Sequence, residues 1–153
     1  MTAYRFRVKF DPDPTSLWRD IVVGADQSLD ELQATINATV GLEQGHLWFV
    51  GRDEDYWNSD VKYQCPKEFK DSQSGPAMGF GEETHDAGEA TVGDVVDRLA
   101  LDERDRLCYL YDYGDEWRFY AILEEIIDDD PAGRRPEVVE SKGGTVDQHA
   151  TNR

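Results

Sequence analysis

The acids and aromatics of YLYDYGDEWRFYAILEEI, residues 109–126, are the side chains whose types and spacing could do chemistry in this chain. Asp112, Asp115 and Glu124, joined by His46, form a carboxylate–imidazole set. Such a set could hold Mg²⁺ or Mn²⁺ and activate a water, as in a metal-assisted hydrolase or nuclease. Asp112 is the sharpest candidate, because it falls beside Trp117 on an apolar face, where burial perturbs a carboxyl. The plainer alternative is turn chemistry, in which Asp112 accepts from backbone N–H groups of the turn or from the Trp117 indole N–H. Asp115 and Glu116, at the tip, read as solvated.

Other centres lack their residues. No H-x-x-x-H or C-x-x-C spacing supports zinc. His85-Asp86 reads as solvated, and His46 as a satisfied histidine at the start of a strand. Asp128-Asp129-Asp130 lacks the glycine and distal glutamate of a calcium loop. No phosphate loop, dinucleotide fingerprint or nucleophile elbow is present. The expectation is no metal site and no cofactor.

The element that positions these acids is a β-hairpin. With Gly114-Asp115 as a two-residue type II′ tip, Tyr113 faces Glu116, Asp112 faces Trp117 and Tyr111 faces Arg118. Cys108, Leu110, Trp117, Phe119, Ala121 and Leu123 then form a core face. Tyr109, Tyr111, Tyr113, Arg118 and Tyr120 form an amphipathic face suited to contact.

The remaining elements follow from periodicity. Tyr4, Phe6, Val8 and Phe10 alternate with Arg5, Arg7 and Lys9, a strand with one wet basic face. That stripe reads as pairing with neighbouring carboxylates, with an anion or nucleic-acid contact as the alternative. DPDPTS turns the chain into a second strand at 17–23. Ser28 opens a helix with a capping box to Glu31, Leu29, Leu32, Ile36 and Val40 share its face, and Gly41 stops it. HLWFV, 46–50, is a short strand. Residues 52–90 read as a long polar excursion with one strand near 61–65, most flexible at 75–89. Thr91 opens a second, short helix through Val92, Val95, Val96 and Leu99, weakened by Gly93. PEVVE, residues 136–140, reads as a last short strand.

The bulk composition narrows the class. The chain has 153 residues, of which 39% are hydrophobic and 32% charged, with net charge −17. Four Trp, seven Tyr and six Phe argue for a folded core. The charge disfavours duplex DNA and anionic membranes, which select for cations. The acids are spread through the chain and arginine outnumbers lysine, a halophile-type pattern: at ~1 M salt the Debye length is only ~3 Å, and self-repulsion is screened. Cys65 and Cys108 read as reduced thiols. The N-terminus has no signal-peptide pattern and no apolar run reaches bilayer length, so the expected location is cytoplasmic.

The pattern Y-x-Y-D-Y-G-D-x-W at Tyr109 to Trp117 resembles the signature of the plasmid pRiA4b ORF-3-like family. So do Trp18-Arg19 with Ile21, His46-Leu47, Leu123-Glu124 and the element order, over roughly 4–140. The C-terminus departs from it, ending in a short polar tail where many members carry a longer Pro-, Gly- and Tyr-rich segment. The resemblance implies an α+β roll, a mostly antiparallel mixed sheet with two main helices on one face, in a family without a characterised activity. Its members occur on plasmids and mobile elements, some under recombinase-like labels, for which this chain shows neither a nucleophile beside an arginine cluster nor a basic surface.

The expectation is therefore one domain at 1–140 and a flexible tail at 141–153. Its function is read as a non-enzymatic interaction module that meets an unknown protein partner through the aromatic hairpin face. The metal-assisted hydrolase around Asp112 is the alternative.

Overall fold

The structure, a computed structural model, describes residues 1–73 and 83–147. Its strands are β1 (Ala3–Phe10), β2 (Trp18–Gly24), β3 (Trp48–Gly51), β4 (Val61–Gln64), β5 (Glu83–Asp86), β6 (Arg106–Tyr111), β7 (Trp117–Ile127) and β8 (Glu137–Lys142). They join in one sheet in the order β5-β4-β3-β6-β7-β1-β2-β8. Every neighbouring pair is antiparallel except β4 and β5. The helices are α1 (Leu29–Val40), α2 (Pro66–Gln73) and α3 (Val92–Arg98). The expected α+β class is observed.

Alternation decides which residues meet the helices. Phe6 and Val8 of β1, Ile21 and Val23 of β2, and Phe119 and Leu123 of β7 turn to the same side. There they pack with Leu32 and Ile36 of α1 and Val92 and Val95 of α3 in the main core. Fully burying such side chains stabilises by ~1.5–3 kcal/mol each. Helices α1 and α3 are capped where expected, but the box expected at Ser28 and Glu31 forms only in its first half. Ser28 accepts from the Glu31 N–H, and Gly41 ends α1 in the left-handed region at φ 88°. Thr91 and Asp94 form a complete capping box. Gly93, read as a weakness, lies against Ala25, where a Cβ would come 3.0 Å from the Ala25 carbonyl oxygen. Its N–H donates to that oxygen, and a side chain there would press Ala25 and α3 apart by a few tenths of an ångström.

Two parts of the chain are more structured than their composition implies. The polar excursion holds a 3₁₀ turn (Tyr56–Asn58), β4, α2 and β5, and it extends the sheet by two strands. β5 is ETHD, with no apolar residue to announce it. The most flexible part expected, 75–89, lies outside the described residues from 75 to 82. The expected tail is attached at its start. Buried Arg19 donates to the carbonyls of Thr39, Lys142 and Gly144, and the Val146 N–H donates to Val40 at 2.9 Å. These ties use backbone atoms, which carry no side-chain signal. Residues 148–153 of that tail lie outside the described residues.

Candidate functional site

The hairpin of β6 and β7 forms, but one residue out of the expected register. Tyr111 pairs with Trp117, Leu110 with Arg118, Tyr109 with Phe119 and Cys108 with Tyr120. The reason is the loop. Asp112 to Glu116 are five residues, with Asp112 at φ 67° and Glu116 at φ 54°, closed by the Glu116 N–H on the Asp112 carbonyl at 2.6 Å. An odd loop shifts pairing by one residue, and a one-residue shift exchanges faces on one strand.

This corrects the expected contact face. Tyr109 and Tyr111 are buried in the main core, 3% and 0% exposed. The Tyr109 hydroxyl donates to Asn37 Oδ1 at 2.6 Å and accepts from Gln33 Nε2 at 2.8 Å, which satisfies two buried amides of α1. The Tyr111 hydroxyl donates to the Glu43 carbonyl and accepts from the His46 N–H. Both rings can enter a core because their polar ends find partners there. Cys108 and Leu110 turn instead to the face away from α1 and α3, where they pack with Phe49 and Tyr56. Burial pushes the Cys108 thiol up to about 11.

Asp112 sits in the loop, not on the strand. Its Oδ1 accepts from the Gly114 N–H at 3.1 Å and the Asp115 N–H at 3.4 Å, the turn chemistry weighed above. Those bonds also hold a non-glycine residue at positive φ. Oδ2 lies 3.7 Å from Nδ1 of His46, which is exposed and precedes β3. Trp117 is buried beside Phe10. Glu124 is exposed, seven residues along β7 from Trp117, about 23 Å of strand at ~3.3 Å per residue. Asp112, Asp115 and His46 therefore share one end of the hairpin, and Glu124 cannot join them at a shared metal. Among the described residues, no three His, Cys, Asp or Glu side chains converge as metal ligands do.

What gathers at the tip is aromatic. Trp57, from the 3₁₀ turn, packs on Tyr113 at 4.9 Å between ring centres, edge to face, and on Phe49 at 5.2 Å. Its indole N–H donates to Glu116 Oε1 at 3.0 Å, and Arg118 donates to the same oxygen at 2.7 Å. The Arg118 guanidinium and the indole hold the Glu116 carboxyl below the usual carboxylate range. Glu116, read as a solvated tip acid, is a clamp. Arg118 also lies over Tyr56 at 4.9 Å, and Arg106 over Tyr120 at 4.4 Å. Tyr113, Arg118 and Tyr120 keep half-exposed positions, and Trp57 is 39% exposed. Trp57 was missed in the sequence; a Tyr-Trp pair inside an otherwise polar stretch was its one signal.

Two of the three cations of the β1 stripe, Arg5 and Arg7, are paired as expected; no such pair is shown for Lys9. Asp20, 1% exposed, receives Arg5 Nη2 at 2.6 Å and Arg7 Nε at 2.7 Å. Arg7 also covers the Trp18 ring at 3.9 Å. Burial raises the Asp20 carboxyl, the two arginines lower it by more, and the net shift is downward. Both cations are committed within the sheet.

Among the described residues, no helix is long and apolar enough to cross a membrane. A search of curated proteins finds no match. The fold is shared with a solved protein of unknown function from Methanosarcina mazei Go1. The two are 18% identical with a TM-score of 0.67, over 97% of this chain and 74% of the other. The family model described as plasmid pRiA4b ORF-3-like protein matches residues 2–148. The chain belongs to the plasmid pRiA4b ORF-3-like family.

Proposed function

We propose that this protein is a non-enzymatic binding module whose contact patch is the face of the hairpin turned away from α1 and α3, centred on Trp57 and flanked by Tyr113, Arg118 and Tyr120. The observation that carries the reading is Trp57. A large aromatic stands 39% exposed, yet two rings and the Glu116 carboxylate fix its orientation. Trp, Tyr and Arg are the side chains that dominate binding energy at protein interfaces, and a pre-set rotamer lowers the entropy cost of association. Less supports a metal-assisted hydrolase at Asp112. One of its oxygens is engaged by the turn, and Glu124 is out of reach.

The test is affinity capture from native lysate with wild type against Trp57→Ala plus Tyr120→Ala. Loss of one discrete partner is expected, and an unchanged partner set refutes the patch. Titration with Mn²⁺ addresses the alternative: no thermal shift is expected.

The spread of acids further supports a protein that works at high salt, which we propose to be cytoplasmic. Raising KCl from ~0.1 to ~2 M should then raise the melting temperature, because screening removes self-repulsion. A melting temperature that falls with KCl counts against it.

A further inference from the structure

The sheet ends at β8, and the outer edge of that strand is open. Among the described residues β8 pairs with β2 alone. All six of its residues are exposed, including Val138 at 36% and Val139 at 40%. An edge strand turns a row of backbone N–H and C=O groups outward, where another strand can pair with them.

Charged side chains and a bulge usually guard such an edge against pairing. Here both suit a second copy of the same strand. Glu140 pairs with Asp20 and Val138 with Ile21, so Val139 is the extra residue of a bulge, without a partner on β2. Directly paired residues share a face. Glu137, Glu140 and Lys142 therefore lie on the face turned away from α1 and α3, and Val138 lies with Ile21 on the core side. Two copies of a strand that meet antiparallel about a two-fold axis normal to the sheet keep their faces, so opposed residues must share one. In a regular strand only residues an even number of positions apart can oppose each other. The bulge at Val139 reverses that rule across it.

One register then uses the whole strand. It sets Glu137 against the partner's Lys142, Val138 against Ser141 and Val139 against Glu140. The two-fold axis repeats each pairing, so an opposite-charge pair closes both ends. Sliding one strand by two residues also keeps the faces, but sets Glu137 against Glu140, and like charges directly opposite destabilise a sheet. The groups are free to meet. Among the described residues the Lys142 ammonium has no carboxylate partner, in a chain of net charge −17. Glu137 gives one oxygen to Arg134 at 3.1 Å and keeps the other. The two Glu140 carboxylates come nearest the axis, and each meets its own Arg5 at 3.4 Å and Arg7 at 3.5 Å, which offsets their repulsion. The opposite edge of the sheet lacks this complementarity: β5 paired antiparallel with itself sets Glu83 against Asp86.

We propose that β8 is a dimer interface, at which two copies of this chain pair edge to edge and join their sheets into one. A single strand pair buries less than ~1,200 Å², so the dimer is a weak one. It shares no residue with the Trp57 patch and stands or falls separately from it.

The experiment is sedimentation equilibrium from about 10 µM to about 1 mM chain, the range of a weak complex. In ~0.5 M KCl the Debye length is ~4 Å, which screens repulsion between the two acidic chains and spares ion pairs in contact. The mass should rise with concentration from 17.4 kDa toward twice that value. Glu137→Lys puts like charges at both ends and should weaken the dimer about tenfold, and so should Lys142→Glu. The double variant, Glu137→Lys plus Lys142→Glu, should return to within about threefold of wild type. Both positions are exposed, and Lys142→Glu leaves the Arg134 contact of Glu137 intact should the other variant misfold. Hydrogen exchange at the outward β8 amides should slow as the concentration rises. A mass of one chain throughout, a dimer that neither reversal weakens, a double variant that stays weak, or a dimer lost in Trp57→Ala would each overturn the proposal.

Discussion

Replacing Asp20 with asparagine tests the idea that the basic stripe is structural. The change keeps shape and removes charge. Asp20 receives four hydrogen bonds: Arg5 Nη2 at 2.6 Å and Nε at 3.2 Å, and Arg7 Nε at 2.7 Å and Nη2 at 3.0 Å. Bonds to charged groups are worth ~1.5–3 kcal/mol each, so a plain sum is roughly 6–12 kcal/mol. That sum is too large. The two arginine side chains are 32% and 29% exposed, and water would replace part of what they lose. Removing one partner of a buried pair costs ~3–5 kcal/mol, and the access of water argues for the lower end, about 3 kcal/mol. For a chain of this size that is a fall in melting temperature of about 6–12 °C. Urea unfolding of wild type and Asp20→Asn across pH supplies the assay. The folded-state pKa of Asp20 is lowered, so its contribution is complete above the unfolded value near ~3.9 and is lost as pH falls through the folded value. The difference between the two proteins should be constant from pH 7 to 5 and shrink only below about 4. A loss under about 1 kcal/mol at pH 7, or a difference that already fades between pH 7 and 5, refutes the reasoning.

Three further outcomes follow from the hairpin. Tyr109→Phe should destabilise by about 1–3 kcal/mol in urea unfolding, because it takes the donor from Asn37 Oδ1 and one of two acceptors from Gln33 Nε2, while Gln44 keeps its bonds to both amides. A neutral result would mean that water reaches them. Asp112→Ala should cost about 1–2 kcal/mol, since it removes the turn bonds and leaves a Cβ at positive φ, while Asp112→Asn stays near wild type; equal losses for both would point to a role for the charge beside His46. The Cys108 thiol should resist a thiol-reactive dye at pH 8 in the folded state and react on unfolding, because it is 1% exposed and its pKa stands at about 11. Prompt labelling of a Cys65→Ser protein at pH 8 would contradict the burial of Cys108.

The sequence was most legible where local chemistry decides the outcome. The cap at Ser28, the stop at Gly41, the Thr91 box and the alternation of β1 all stand where residue types place them. It was least legible where backbone atoms or parity decide. β5 has no apolar side chain and is recruited by its parallel pairing with β4. The attachment of residues 142–146 runs through carbonyls and an N–H. In the hairpin, the tyrosine run 109, 111, 113 and the mixed run 108, 110 are both apolar enough to face a core. Composition could not choose between two registers, and the loop length did. At the tip, Asp112 and His46 come within 3.7 Å and Glu124 lies apart from them, while Trp57, which donates to Glu116, comes from a stretch without periodicity.

The five-residue loop also bears on how this protein can change over generations. Losing or gaining one residue between Asp112 and Glu116 would invert the faces of one strand, throwing Tyr109 and Tyr111 toward solvent and Cys108 and Leu110 under the helices. A change of two residues would leave both faces intact. Length variants that survive selection at this hairpin should therefore differ by even numbers, or carry a compensating bulge in β6 or β7. The loop acts as a parity lock on inheritance, and a one-residue deletion within it, even at Gly114, is among the most damaging small edits to this sequence.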